Sequence, residues 1–380
     1  MDKLELIAPC VFGLESVLKN EIQQLGYTIT QVEDGRVTFE GDTKAICRSN
    51  IFIRTAERIL LKVGTFKATS FDELFEKTKA LEWERYLTKD SKFWVTKASS
   101  IKSKLFSTSD IQSLVKKAIV DSLKKSYNID WFSETGEEYP IRVFLLKDEV
   151  TIAIDTSGES LHKRGYREMT SGAPVSETLA SGMIQLTPWN KDRVLIDPFC
   201  GSGTIPIEAA MMGANIAPGL NRAFQSENWS NIIDKKSWFS AIDEAHDIMD
   251  DSIELDIQGY DIDENVLKGA RHNAKLAGVD HLIHFQRRDV KDLSSSKKYG
   301  FIITNPPYGE RMGTKESIKT LYNDMGNVFR NLDAWSYFVI TSYEDIEKDF
   351  RKSATKKRKL YNGMLKTSYY QFYGPKPTKK

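Results

Sequence analysis

This sequence predicts an α/β protein: a mainly parallel sheet in the carboxyl-terminal half, closed by an antiparallel hairpin and preceded by two smaller α+β units. Three observations predict it. From about residue 165 onward, short apolar strands alternate with amphipathic helical stretches, which is the rhythm of a parallel sheet. Before that point the strands are joined by tight turns, Asp34-Gly35 being a strong hairpin dipeptide. Near the end, Asn362-Gly363 between two further strands predicts a terminal hairpin. At 380 residues the chain is long for one core, so two or three domains are expected.

Taken in order, Leu4 to Ile7 reads as a strand and Gly13 to Leu25 as an amphipathic helix ending at Gly26. Tyr27 to Phe39 is a hairpin, Thr43 to Arg48 a short helix and Glu57 to Val63 a strand. Two helices on a small antiparallel sheet is the economical assembly of this first unit. A second unit follows: a helix at Phe71 to Ala80, a strand at Lys92 to Lys97, a helix at Ser109 to Lys125, and a hairpin of Ile141–Leu146 with Val150–Asp155. Asp110 near the start of its helix complements the helix dipole. The parallel sheet is then built from Val194–Asp197, Ile257–Asp261, Ile283–Phe285, Phe301–Thr304 and Trp335–Thr341. Its helices fall at Ile205–Met212, Glu264–Leu276, Ile318–Leu332 and Tyr343–Arg351. Between the first two strands, residues 215–256 are rich in aromatics and acids and read as an inserted helical elaboration.

Composition excludes more than it selects. Hydrophobic residues make up 40% and charged residues 28%, ordinary values for a globular protein. The 54 basic and 53 acidic side chains nearly cancel to +1, so any nucleic-acid signal must lie in the distribution of charge. Cys10, Cys47 and Cys200 show no Cys-x-x-Cys pairing or neighbouring histidine, against a metal site or disulfide framework and in favour of a reducing compartment. There is no signal-like start and no apolar run approaching ~18 residues, so a cytoplasmic protein with no membrane partner is expected. The sequence does not choose between a monomer and a homodimer.

The chemistry concentrates at strand ends. Asp197-Pro-Phe-Cys-Gly-Ser-Gly-Thr204 follows the first parallel strand and opens a helix; its glycines permit a tight bend and close approach of a ligand. It lacks the lysine of a P-loop and the third glycine of a dinucleotide fingerprint. The acid before the short Gly-x-Gly suits a ligand with a cationic or hydroxyl group. The second strand ends in Asp261-Ile-Asp263, where such folds hold ribose hydroxyls, although Asp263 equally suits a helix cap. Asp289 follows the third strand. The fourth, Phe301–Thr304, stops at Asn305-Pro306-Pro307-Tyr308. Two prolines stiffen the backbone there. An amide oxygen, a fixed carbonyl and an aromatic face together can hold a planar base by its exocyclic amino group. An Asn-Pro-Pro turn can also merely close a strand.

The four strand ends occur in order, and in this arrangement the sequence resembles class I S-adenosylmethionine-dependent methyltransferases with a Rossmann-like sheet. More narrowly it resembles bacterial 23S rRNA guanine-N2 methyltransferases that carry amino-terminal ferredoxin-like and THUMP domains. Asn50–Leu60, His162–Arg167 with Ala173-Pro174, Ile216–Arg222 and Asn305–Arg311 carry the closer match. The resemblance implies a ferredoxin-like domain over 1–65, a THUMP RNA-binding domain over 66–160 and a methyltransferase domain over 161–380. It implies S-adenosyl-L-methionine as cofactor, with Asp197, Phe199, Gly201, Gly203 and Thr204 around the methionine part. Asp261 rather than Asp263 then matches the ribose position, beside Ile262, and Asp289 with Val290 the adenine side. Asn305, Pro306 and Tyr308 match the base-holding motif, Asn305 also facing the cofactor, and Arg167 and Glu177 belong to the segment that lids it.

For the reaction, both amino hydrogens of the target base would be accepted by Asn305 and the Pro306 carbonyl, in line with the methyl donor. Cys200, inside the glycine loop, is expected to pack rather than to act as a nucleophile. RNA is the expected partner, ribosomal by resemblance. The candidate contacts are Lys97, Lys102, Lys104, Arg311, Lys356, Lys357 and Arg358, with Tyr361, Tyr369, Tyr370 and Tyr373 interleaved in the basic carboxyl-terminal stretch. Adenine N6 in RNA or DNA is the other enzymatic target, and a non-catalytic RNA-binding or ribosome-assembly factor the reading from another class.

Overall fold

The computed structural model describes residues 3–169, 174–308 and 314–377. The amino-terminal part contains β1 (Leu4–Pro9), α1 (Glu15–Gln24), β2 (Thr28–Glu33), β3 (Arg36–Gly41), α2 (Thr43–Phe52) and β4 (Leu60–Lys67). It continues with α3 (Phe71–Lys79), β5 (Lys92–Ile101), α4 (Thr108–Tyr127), β6 (Glu138–Leu146) and β7 (Glu149–Asp155). The helix starts follow capping chemistry: the side chains of Asp42, Ser70 and Ser107 accept the amide hydrogens of Ala45, Glu73 and Asp110. Asn128 in the left-handed conformation ends α4.

These strands form one sheet, in the order β2-β3-β1-β4-β7-β6-β5. The two small units read from the sequence are therefore joined: β4 pairs with β1 on one side and β7 on the other. Only β5 and β6 run parallel; the remaining pairs are antiparallel.

The second sheet carries α5 (Glu177–Gln185), β8 (Leu195–Asp197), α6 (Thr204–Gly213), α7 (Lys235–Asp247), β9 (Ile257–Asp261), α8 (Glu264–Leu276) and β10 (Ile283–Arg287). After these come β11 (Phe301–Thr304), α9 (Lys315–Arg330), β12 (Ser336–Thr341), α10 (Ile346–Asp349), β13 (Lys356–Asn362) and β14 (Leu365–Phe372). Strand order is β10-β9-β8-β11-β12-β14-β13, with β8 to β12 parallel and β14 antiparallel to both neighbours. The buried strands β11 and β12 are covered on both faces, which is why they read as unbroken apolar runs. The order reverses between β8 and β11, the switch point at which open α/β sheets bind ligands.

The terminal hairpin differs from expectation in its turn. Asn362 pairs with Leu365, so the two loop residues are Gly363 and Met364, not Asn362 and Gly363. Gly363 has φ +61° at the first loop position, the type II′ pattern. Met364 consequently sits at the apex.

The two sheets share a core. Leu14, Val17 and Ile46 belong to the same buried cluster as Leu179, Met183, Met211 and Trp238. A Cβ on Gly182 of α5 would stand 2.4 Å from the buried Leu14 side chain, which packs directly on this glycine. Segment 215–256 is the clasp between them. Its Phe224 and Trp238 rings stack at 5.3 Å, and Trp229 stacks on Tyr139 of β6 at 4.7 Å. Glu244 of α7 takes a two-pronged ion pair from Arg48 of α2, at 2.7 and 2.8 Å. Behind α5, the fully buried Glu208 accepts hydrogen bonds from Tyr166 and Ser181 and lies 3.5 Å from Arg164. Removing residues 1–160 would uncover this core, so the amino-terminal part is not a detachable module.

Candidate active site

A cavity of about 540 Å³ opens at the carboxyl ends of β8, β9, β10 and β11. Asp197, Phe199, Gly201, Thr204, Asp261, Ile262, Asp289, Val290 and Asn305 all line it, brought together from four separate stretches of sequence.

Asp197 ends β8 and is only 1% exposed. It accepts the Thr304 hydroxyl at 2.6 Å and the Phe199 amide at 3.1 Å. Burial pushes its carboxyl up to about 7, with Asp261 adding to the rise and those two hydrogen bonds opposing it. Among the described residues no cation offsets the charge, so the site is matched to a ligand that brings one. Thr304 was not singled out in the sequence. As the polar last residue of a buried apolar strand it was visible there, but its partner was not.

The loop after β8 is tied to the loop after β9. Asp261 accepts the Gly201 amide at 3.1 Å with one oxygen and the Asp263 amide at 3.0 Å with the other. Gly201 adopts φ +53° facing open space, whereas Gly203, φ +86°, serves packing. A Cβ there would lie 3.1 Å from Ala270 and 3.2 Å from Phe285, and Gly203 does not line the cavity. Asp263 is the cap of α8, its side chain accepting the Asn265 amide. Asp289 likewise holds its own turn through the Lys291 amide at 3.0 Å. Ile262 lines the cavity while 62% exposed, an apolar face left open for a flat ligand.

Arg167 and Glu177 stand behind the loop rather than in the cavity. They form an ion pair at 2.9 Å, and Arg167 donates to the Thr204 hydroxyl and the Val175 carbonyl. Burial raises the Glu177 carboxyl, opposed by Arg167. Their role in the geometry is to brace Thr204. Cys200 borders the cavity, and burial followed by Asp197 and Asp261 pushes its thiol well up. That environment disfavours a thiolate.

At the end of β11, the Oδ1 of Asn305 is buried and has no hydrogen-bond partner among the described residues. Pro306 is buried beside it, and Pro307 lines the cavity. Tyr308 departs from the expectation of an open stacking face. Its side chain is 2% exposed, and its hydroxyl accepts a hydrogen bond from Asn362 at 3.0 Å. A base could reach the ring only if this segment shifted. Sequence reasoning missed the cavity wall supplied by α9, including Ser317, Leu321 and Asp324, and the rim cation Lys291, paired to Asp324 at 3.2 Å.

The candidate RNA contacts divide. Lys97, Lys102 and Lys104 are exposed, flanked by Ile101 at 56% and Phe106 at 82% exposure. Lys356 is exposed, but Lys357 pairs with Glu347, and Arg358 donates to the Gly13 carbonyl at 2.7 Å and to Ser16. Tyr369 and Tyr370 are buried in the sheet, so they offer no stacking surface. Arg311 lies outside the described residues.

With the cavity at a class I switch point, the comparisons with known proteins decide the family. The family model described as "RMKL-like, methyltransferase domain" matches residues 164–371. The protein belongs to the RMKL-like methyltransferase family. This RMKL-like chain also matches the RlmL ferredoxin-like domain over residues 5–60 and the THUMP domain over 68–155. It is 48% identical over 98% of its length to the Bacillus subtilis (strain 168) protein named "Putative RNA methyltransferase YpsC", covering 97% of that protein. It is 33% identical to "Ribosomal RNA large subunit methyltransferase K/L" of Cellvibrio japonicus (strain Ueda107), over 97% of this chain and 51% of that one. The chain thus spans about half the length of that K/L enzyme. Among solved structures it matches a possible methylase from Clostridium difficile 630 with TM-score 0.96 and 55% identity, over all of both chains. It also matches SMU.472, solved in complex with SAH, with TM-score 0.94 and 42% identity over all of both chains.

As an RMKL-like methyltransferase the protein uses S-adenosylmethionine, and the cavity fits that group. The uncompensated buried Asp197, the open glycine at 201 and the exposed Ile262 offer a carboxylate, a close approach and an apolar wall. No helix among the described residues is long and apolar enough to cross a membrane.

Proposed function

We propose that this protein methylates an exocyclic amino nitrogen of a base in RNA, namely N2 of guanine in large-subunit ribosomal RNA. One observation carries the reading: the buried Oδ1 of Asn305, an acceptor without a donor among the described residues, on the wall of the same cavity as Asp197. A buried acceptor left unpaired costs about 1–3 kcal/mol, which a donor arriving with the substrate would offset. An amino group supplies that donor. S-adenosylmethionine, when bound, provides an electrophilic methyl on a cationic sulfur.

The residues of the chain do the rest. Asn305 accepts one amino hydrogen, and the carbonyl of Pro306, fixed by the two prolines, accepts the other. Holding both hydrogens turns the nitrogen lone pair out of conjugation and toward the donor. Asp197, its carboxyl raised to about 7 by burial, shifts toward the ionised form when a cation lies beside it. Arg167 and Glu177 keep Thr204 and the glycine loop in place. No strong base is required, because the methylated amine is acidic and releases its proton to water. The names of the relatives, an RNA methyltransferase and a ribosomal RNA enzyme, support RNA as the substrate class, as do the exposed lysines at 97, 102 and 104.

Asn305→Ala should abolish methyl transfer while leaving cofactor affinity within about tenfold, since the amide serves the base. Isothermal titration with S-adenosylmethionine and a methyl-transfer assay measure the two separately. Loss of cofactor binding in this variant would refute the assigned role. Nucleoside mass spectrometry of RNA from a deletion strain tests the target: loss of N6-methyladenosine instead of N2-methylguanosine would overturn guanine.

A further inference from the structure

We propose that the apex of the β13–β14 hairpin, Met364 with Leu365 behind it, is a wedge that enters an RNA stack beside the target nucleotide and fills the space the target base vacates. The inference rests on the RNA reading above and adds to it a device for extracting the base.

Position comes first. β14 runs antiparallel to β12 with Ser368 opposite Thr341, so the hairpin turn extends past the carboxyl ends of the parallel strands, on the side of the cavity. The tip touches the base-holding segment directly: Asn362 donates to the hydroxyl of Tyr308, three residues after Asn305.

Exposure comes next. Met364 is 100% exposed and Leu365 47%. Because the loop is Gly363-Met364, the turn itself lifts the methionine to the apex. An apolar side chain held there is covered by none of the described residues.

The finger carrying it is nevertheless stiff. From the other flank, Arg358 binds the Gly13 carbonyl, and Gly13 approaches so closely that a Cβ would stand 2.5 Å from the Lys359 carbonyl oxygen. The Phe12 ring meets Tyr361 edge-on at 6.0 Å. A braced base under a bare apolar tip is the arrangement an intercalating side chain needs, since a floppy tip would fold back rather than separate two bases.

Charge selects the occupant. Lys359 lies over the Phe12 and Tyr361 rings at 5.9 and 5.5 Å, and Lys366 is exposed beside the tip. From 351 to the end of the chain there is no acidic residue. A cationic collar suits phosphates, and methionine and leucine are among the side chains that nucleic-acid-bending proteins insert between base steps. Extracting a base from its stack is required before its amino group can meet Asn305, and it is costly unless the gap is filled.

The test uses the full-length protein and labelled S-adenosylmethionine. The probes are protein-free 23S ribosomal RNA from a strain lacking the gene, folded with magnesium, and the same RNA hydrolysed to short single strands. Met364→Ala should lower the ratio of folded-RNA to fragment methylation at least tenfold, and Met364→Leu should recover most of it. An unchanged ratio would overturn the wedge while leaving the RNA reading intact. An equal loss on both probes would also overturn it, marking a general binding contact. If the wild-type protein labels neither RNA, the RNA reading fails and the wedge with it.

Discussion

Asp197→Asn should shift the stability of the ligand-free protein in the variant's favour as pH rises. Burial is the main reason the carboxyl rises from 3.8 to about 7, and Asp197 is only 1% exposed. A group that binds its proton more tightly folded than unfolded stabilises the fold when protonated. That stability is fully present below about pH 3.8 and is lost as pH climbs through about 7. The rise corresponds to about 4 kcal/mol lost at the upper plateau, of which roughly 1.5 kcal/mol is already lost at pH 5. Asparagine keeps an oxygen for Thr304 and Phe199 but adds two buried N–H groups, a cost of about 1–3 kcal/mol that does not change with pH. The decisive quantity is therefore the change in the difference between variant and wild type. Urea unfolding at pH 5 and pH 8 should show that difference moving in the variant's favour by about 2–3 kcal/mol. A pH-independent difference, or one moving the other way, would refute the picture of an uncompensated buried carboxyl. The same variant should bind S-adenosylmethionine more weakly at pH 8, since it lacks the charge that answers a cationic ligand.

Two further substitutions probe the supports of the cavity. Gly203→Ala forces a side chain into φ +86° against Ala270 and Phe285, and should cost about 1–3 kcal/mol in chemical denaturation. An unchanged midpoint would show that the neighbours yield freely. Glu208→Ala removes the acceptor shared by Tyr166 and Ser181 and strands Arg164, which is 3% exposed, so a loss of about 3–5 kcal/mol is expected. Its thermal midpoint should fall together with that of cofactor-bound protein; a change confined to activity would assign Glu208 to chemistry instead.

The strand ends were legible in the sequence because their signals are local. Glycine, proline and acids after short apolar runs mark Asp197, Asp261, Asp289 and Asn305, and the structure gathers all four around one cavity. What was not legible depends on contacts between distant residues. Nothing near Tyr308 announces that Asn362 will bind its hydroxyl, or that Arg358 will be taken up by Gly13. Lysine and tyrosine counts cannot tell Tyr361, half-buried near the hairpin tip, from Tyr369, which is sealed in the core. The single amino-terminal sheet was hidden for the same reason. β4 reads as the last strand of one unit, and only its second edge, paired to β7, shows it to be shared.

The clasp between the sheets has a consequence for the birth of the molecule. Leu14, Val17 and Ile46 are complete in the nascent chain long before Leu179, Met211 and Trp238, which cover them, have been synthesised. At about 5–20 residues per second, the roughly 130 residues separating Ile46 from Leu179 take on the order of 6–26 seconds to appear. During that interval the emerging half presents an oily flank to the cell. A chaperone that greets it there, and leaves when α5 arrives, would be shielding the same patch that later holds the enzyme together.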